Sequence, residues 1–153
     1  MNRMKSLVMA SAASVFAALA GSAAVAQEAP NPLPNPVLYL IGMEYYTTAS
    51  GNFVRYRYDV LNKDSYPADM FAAAPNLPPC GRNANSSRTW LDFYNARTNE
   101  RLYGFCALGN PQNMGSIWFA APEGTVPPSY IYIELIDRQT NIRYRSNPAD
   151  TVM

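Results

Sequence analysis

Histidine is absent from the whole 153-residue chain. No Ser-His-Asp or Cys-His relay can therefore be assembled, and no imidazole metal cluster. Lysine is almost as scarce, with only Lys5 and Lys63. A Ser-Lys nucleophile would have to use Lys63, which lies in the turn-like run Asn62-Lys63-Asp64-Ser65 with no nucleophile-elbow pattern beside it. No Gly-rich phosphate loop, internal repeat or convincing helical period occurs after Gln27. Cofactors are accordingly expected to be none, and the enzyme classes that depend on these motifs are set aside.

The amino terminus has the three parts of a cleavable secretory signal peptide over residues 1–26. Arg3 and Lys5 make a short basic start, Ser6 to Ala20 carry no charge, and Ala24-Val25-Ala26 precede the polar Gln27-Glu28. A membrane anchor would need about 20 strongly apolar residues, and this stretch is diluted with Ala, Ser and Gly. No Arg-Arg pair points to a twin-arginine route, and no Cys at the cut points to a lipid anchor. The expectation is an exported protein of bacterial type, periplasmic or extracellular, with no membrane span after cleavage. Asn85-Ser86-Ser87 is a glycosylation sequon that matters only in a eukaryotic host.

Charge belongs to the mature chain. Without Arg3 and Lys5, ten basic residues face 11 acids, so the formal charge changes from +1 to −1. No block of positive charge is present for a phosphate backbone, which argues against nucleic acid as a partner. The two cysteines, Cys80 and Cys106, read first as a disulfide in an oxidising compartment. On the chain-entropy model that bridge stabilises the fold by roughly 3–4 kcal/mol. The alternative is two separate buried thiols; two thiolates without His are too few ligands for zinc.

Residues 27–36 form a Pro-rich extended leader, with Pro at 30, 32, 34 and 36. A β-domain is expected over 37–147, followed by a C-terminal tail over 148–153. Val37 to Tyr46 reads as a buried strand. Phe53 to Leu61 alternates, with Val54, Tyr56, Tyr58 and Val60 on one face and Arg55, Arg57 and Asp59 on the other. Ser65 to Arg88 is Pro-rich and irregular, with Asp69-Met70-Phe71 as a doubtful short edge strand. Thr89 to Asn95 and Arg101 to Leu108 make a hairpin, Ser116 to Ala121 a strand, and Tyr130 to Asp137 with Ile142 to Ser146 a final hairpin. About seven strands separated by turns imply an all-β, antiparallel sandwich, with a small closed barrel as the alternative.

The run Gly124-Thr125-Val126-Pro127-Pro128-Ser129-Tyr130-Ile131-Tyr132-Ile133 resembles the Pro-rich turn into a Tyr-bearing strand of immunoglobulin-like and fibronectin type III modules. The resemblance implies an Ig/fibronectin III-like β-sandwich and makes Tyr130 or Tyr132 a corner tyrosine bonded to backbone. The early-strand Trp of fibronectin modules and the Cys spacing of antibody domains are both missing. No active site comes with such a likeness.

Among positive features, aromatics lead: eleven Tyr, Trp90, Trp118 and five Phe after residue 26. Tyr, Trp and Arg dominate binding hot spots, although strands also use Tyr for packing. Trp90, Trp118, Tyr144, Arg143 and Arg145 are the candidate binding residues. The arginines alternatively protect an edge strand from aggregation. Asp92, Glu134 and Asp137 are the acids a carboxylate-dependent hydrolase would need, and Asp59, Asp64 and Asp69 recur with a spacing that calcium could use. The leading expectation is a non-catalytic exported module that binds a protein or cell-envelope component. A carbohydrate-binding module, taking a glycan on surface Tyr and Trp, is the alternative, and a hydrolase the third reading.

Overall fold

The computed structural model describes residues 33–80, 86–106 and 109–152. The signal segment, most of the Pro-rich leader and Asn85 of the sequon lie outside these. Eight strands follow one another: β1 (Leu38–Thr48), β2 (Gly51–Val60), β3 (Thr89–Asn95), β4 (Arg101–Cys106), β5 (Ile117–Pro122), β6 (Tyr130–Asp137), β7 (Ile142–Arg145) and β8 (Ala149–Asp150). All pairings are antiparallel. One sheet has the order β1-β2-β5; the other has β4-β3-β6-β7, with β8 also pairing β6. The fold is an all-β sandwich.

Period-two alternation explains how the two sheets meet. In β2, Val54, Tyr56, Tyr58 and Val60 are buried, while Arg55 and Arg57 face outward. In β3 and β6, Leu91, Phe93, Ile131, Ile133 and Leu135 face them across the core. Phe119 of β5 stacks on Tyr56 at 5.0 Å and packs against Phe93 at 5.7 Å, so aromatic pairs tie the sheets together. The Tyr58 hydroxyl donates to the Asp150 carbonyl at 3.1 Å, and burial pushes its pKa far upward, so it remains a neutral donor.

The irregular middle closes the core rather than adding a strand. Asp69-Met70-Phe71 is not an edge strand but part of a 3-10 turn, Ala68–Phe71, entered through Pro67. A strand would send Met70 and Phe71 to opposite faces; here both are buried. Tyr66 lies edge-on to Phe71 and to Tyr144 beneath the sandwich. The Thr89 hydroxyl donates to the Met70 carbonyl and fastens this plug to β3.

Residues on either side of 37–147 also pack against the sandwich. Pro36 is buried, Leu33 packs on the core, and the Tyr66 hydroxyl donates to the Pro34 carbonyl at 2.6 Å. The C-terminal segment supplies β8 and a buried Thr151. Since β3 occupies one side of β6, β7 and β8 share the other, interrupted at Ser146-Asn147-Pro148. Pro148 is tolerated because the segment is an edge. Asn147 uses the break: its Oδ1 accepts from the Leu38 N–H at 2.8 Å and its Nδ2 donates to the Leu38 carbonyl at 2.9 Å. One side-chain amide thus clasps the start of β1 to the opposite sheet.

Candidate functional site

The outer face of the larger sheet carries a set of matched polar groups. Alternation in β3 turns Trp90, Asp92 and Tyr94 outward, away from the buried Leu91 and Phe93. Asp92 is buried despite lying on this face, because three donors converge on it. Trp90 Nε1 donates at 2.6 Å, Arg101 Nε at 2.7 Å and the Tyr94 hydroxyl at 3.4 Å. Gly104 of β4 stands opposite Asp92 and leaves room for that cluster. A Cβ at Gly104 would collide with Asp92 Oδ1 and Arg101 Nη2. A mid-strand glycine is a sequence signal for close approach, and together with Arg101 it was missed as part of this face.

Glu134 of β6 is the cross-strand neighbour of Asp92. Arg143 Nη1 donates to Glu134 Oε2 at 3.0 Å. Burial pushes the Tyr94 phenol up, helped by the Asp92 and Glu134 charges and opposed by Arg143. Tyr94 stacks on Tyr132 at 5.0 Å with an 11° interplanar angle. Arg145, on the far side of β6, places its guanidinium 3.7 Å from the Tyr132 ring centroid. Asn99, in the β3–β4 turn with left-handed backbone (φ 58°), accepts from both the Tyr132 hydroxyl and Arg145 Nη2 at 3.2 Å. The Tyr132 hydroxyl therefore goes to a side chain, and Tyr130 is exposed, so neither forms the backbone-bonded corner expected from the resemblance.

Trp118 is on the opposite side of the molecule. It projects from β5 with Arg55 from β2 at 4.4 Å and Tyr103, reaching round from β4, at 5.8 Å. Arg55 also lies 4.6 Å from the Tyr46 ring and donates to Glu44 Oε1 at 2.7 Å. The candidate residues are thus not brought to one place. Trp90, Arg143 and Arg145 share the larger sheet, Trp118 belongs to the smaller one, and Tyr144 is core. Arg143 and Arg145 point outward, so the same alternation drives Tyr144 inward, where it is 2% exposed and cannot meet a ligand.

These arrangements limit the chemistry. Tyr132 and Trp118 are packed between neighbours, so their ring faces are engaged within the protein. Asp92 and Glu134 each have their own arginine. Asp137 lies in a different cluster, bound by Arg88 through both oxygens at 3.0 and 2.9 Å. The acids Asp59, Asp64 and Asp69 are also separately engaged, by Lys63, Gln112 and Arg88. Among the described residues no group of three or more His, Cys, Asp or Glu converges on a metal position. An open hollow of about 380 Å3 by Asn95, Arg97, Pro128, Tyr130 and Pro148 contains no carboxylate.

Two further features are the free edge of β1 and the cysteine corner. Among the described residues no strand pairs with β1 on the side away from β2. Tyr39, Ile41, Met43 and Tyr45 are all exposed along it, Tyr45 at 73%, and Val37 is exposed just before it. This corrects the expectation of a buried strand. The larger sheet does not extend over the end of β1, leaving Met43 and Tyr45 uncovered, and a register shift between Leu40 and Gly42 displaces Ile41. At the other corner Cys80 and Cys106 are joined, with Cα atoms 5.6 Å apart. Arg138 donates from Nη1 to Cys80 Sγ and to the Ser87 carbonyl, each at 2.7 Å.

The class defined by these observations is an antiparallel β-sandwich with a clasped amino-terminal edge strand and two aromatic outer faces. Comparison of the chain with protein-family models, with curated proteins and with solved structures finds no match. No helix among the described residues is long and apolar enough to cross a membrane.

Proposed function

We propose that the chain is a non-catalytic, exported binding module whose partner is a protein of the cell envelope, engaged along the edge of β1 by strand addition. The observation that carries this reading is the exposure of Tyr39, Ile41, Met43 and Tyr45 on a strand that pairs β2 on one side and, among the described residues, has no partner strand on the other. Edge strands are normally blunted by Lys, Pro, shortness or cover. β1 is 11 residues long and contains no Lys or Pro. Its single charge, Glu44, is drawn sideways to Arg55 and Arg57. Its bulge and the Asn147 clasp protect only the first part. An extended partner segment could pair with the backbone beyond Gly42 while its side chains meet Met43 and Tyr45. Export is supported by the amino-terminal pattern and by the cysteine pair.

The test places a photocrosslinking amino acid at Tyr45 in the full chain and, separately, at Arg145 on the other sheet, in the native host. A defined partner captured from Tyr45, lost when Met43→Lys is added, and not captured from Arg145 is the expected result. Equal capture from both positions, or capture indifferent to Met43→Lys, would overturn edge recognition.

A further inference from the structure

Separate stretches of chain meet at the open hollow beside Tyr130: the β3–β4 turn, the Pro-rich β5–β6 loop, the start of β6 and the connection from β7 to β8. Hydrogen bonds fix their spacing. The Ala96 N–H donates to the Tyr130 carbonyl at 3.0 Å, and the Thr151 N–H donates to the Ser129 carbonyl at 3.2 Å. Asn95 Oδ1 accepts from the Arg97 N–H at 2.9 Å, which sets where the Arg97 side chain leaves the turn. Pro127, Pro128 and Pro148 form walls whose own rings fix φ. The hollow is therefore shaped before anything enters it, as ligand sites usually are.

Its chemistry is apolar with one charge. Tyr130 is 52% exposed and, unlike Tyr94, Tyr103 and Tyr132, has no ring partner among the described residues. Arg97 is the charged lining residue, and its guanidinium makes no ion pair, hydrogen bond or ring contact among the described residues. Every other described arginine has a carboxylate, a carbonyl or a ring against it. Asp150 is the cross-strand neighbour of Tyr130 but does not line the hollow. One guanidinium matches one carboxylate through paired N–H bonds, whereas a phosphate dianion would be left with unmatched charge. A volume of about 380 Å3 lies near the lower end of ligand pockets and suits a body of about one ring. We propose that this hollow binds a monocarboxylate with a planar apolar body, its ring against Tyr130 and the prolines and its carboxylate on Arg97. The site does not depend on recognition at β1. The same group occurs as a free aryl acid and as the carboxy-terminal aromatic residue of a peptide.

The experiment titrates the isotopically labelled full chain with phenylacetate, with its uncharged amide phenylacetamide and with acetylglycylphenylalanine, reading backbone amide shifts by NMR. Saturable shifts at Ala96, Arg97 and Tyr130 with phenylacetate are expected, at a Kd of about 1 mM for so small a ligand. Phenylacetamide should bind about three- to tenfold more weakly, the range for a charge-assisted bond at an exposed site. Arg97→Gln should weaken phenylacetate by that same factor and leave phenylacetamide unchanged. Tyr130→Ala should weaken both alike, because the ring meets the apolar body. Absence of saturation, shifts centred on Arg145 or Trp118, or equal binding of acid and amide overturns the proposal. So does an Arg97→Gln variant that binds phenylacetate as the parent does. Tighter binding of phenylacetate than of the peptide acid identifies a free acid as the ligand, and the reverse a chain terminus; both outcomes support the site. If Tyr130→Ala fails to fold, the parent and Arg97→Gln with acid and amide decide.

Discussion

The outer face of the larger sheet and the free edge of β1 are both aromatic and both meet solvent, yet they are built differently. On the face, charged groups are matched across strands: Asp92 with Arg101, Glu134 with Arg143, and Arg145 with Tyr132 and Asn99. On the edge, Tyr39, Ile41, Met43 and Tyr45 are exposed and, among the described residues, no neighbouring strand completes the backbone pairing. The difference teaches that aromatic content alone does not locate a binding surface. A ring stacked between a tyrosine and a guanidinium contributes to the fold, whereas one on an unpaired edge retains unsatisfied apolar area.

The sharpest way to separate the two uses of tyrosine is to remove one of each. Tyr144→Ala should lower unfolding free energy by about 3–5 kcal/mol, as for other large buried aromatics, measured by urea denaturation. A loss below 1 kcal/mol would contradict its place in the core. Gly104→Ala comes next, at about 1–3 kcal/mol, because its methyl has to displace Asp92 or Arg101. Pairing Gly104→Ala with Arg101→Ala should recover part of that loss, and no recovery would mean that the collision lies elsewhere.

The Asp137 cluster adds a pH test. Burial raises the pKa of this carboxyl, but the bonds from Arg88, Thr140 and the Gln139 N–H outweigh burial and hold it below its ordinary value. A carboxyl depressed in the native state contributes stability that is complete above its unfolded pKa of about 3.9 and lost as pH falls through the lower native value. The difference in melting temperature between parent and Asp137→Asn should be largest near neutrality and narrow in that acid range. A gap that stays constant down to pH 2 would remove the linkage. The smallest effect belongs to the edge: Tyr45→Ala should change stability by no more than about 0.5 kcal/mol, measured by urea denaturation. A large loss of stability would place Tyr45 in the fold after all.

Much of the architecture was legible locally. The alternation of Val54, Tyr56, Tyr58 and Val60 against Arg55 and Arg57 assigned β2 and its buried face. Thr89 to Asn95 was legible as a strand, and the structure shows the same alternation there, with Leu91 and Phe93 inward and Trp90 outward. The middle segment was less legible because Met70 and Phe71 are adjacent in sequence, and the 3-10 turn that buries both is shaped by contacts with distant residues such as Tyr66 and Thr89. The candidate site was hardest. Trp90 and Trp118 look equivalent in sequence but sit on opposite sheets, since their strands pair with different neighbours. Asn99, Arg101 and Arg138 carry no local signal; their partners are supplied by cross-strand register and by chain segments far away.

By itself, the sequence determined which residues are strand-forming, which faces of those strands are apolar, and that histidine chemistry is closed to this chain. These follow from side-chain type and a period of two, both local properties. Tertiary structure alone decided that β1 is an edge, that Tyr144 is core, and that Arg138 stands against the Cys80 sulfur. Those outcomes depend on strand order and on contacts between distant segments, which no periodicity along the chain encodes.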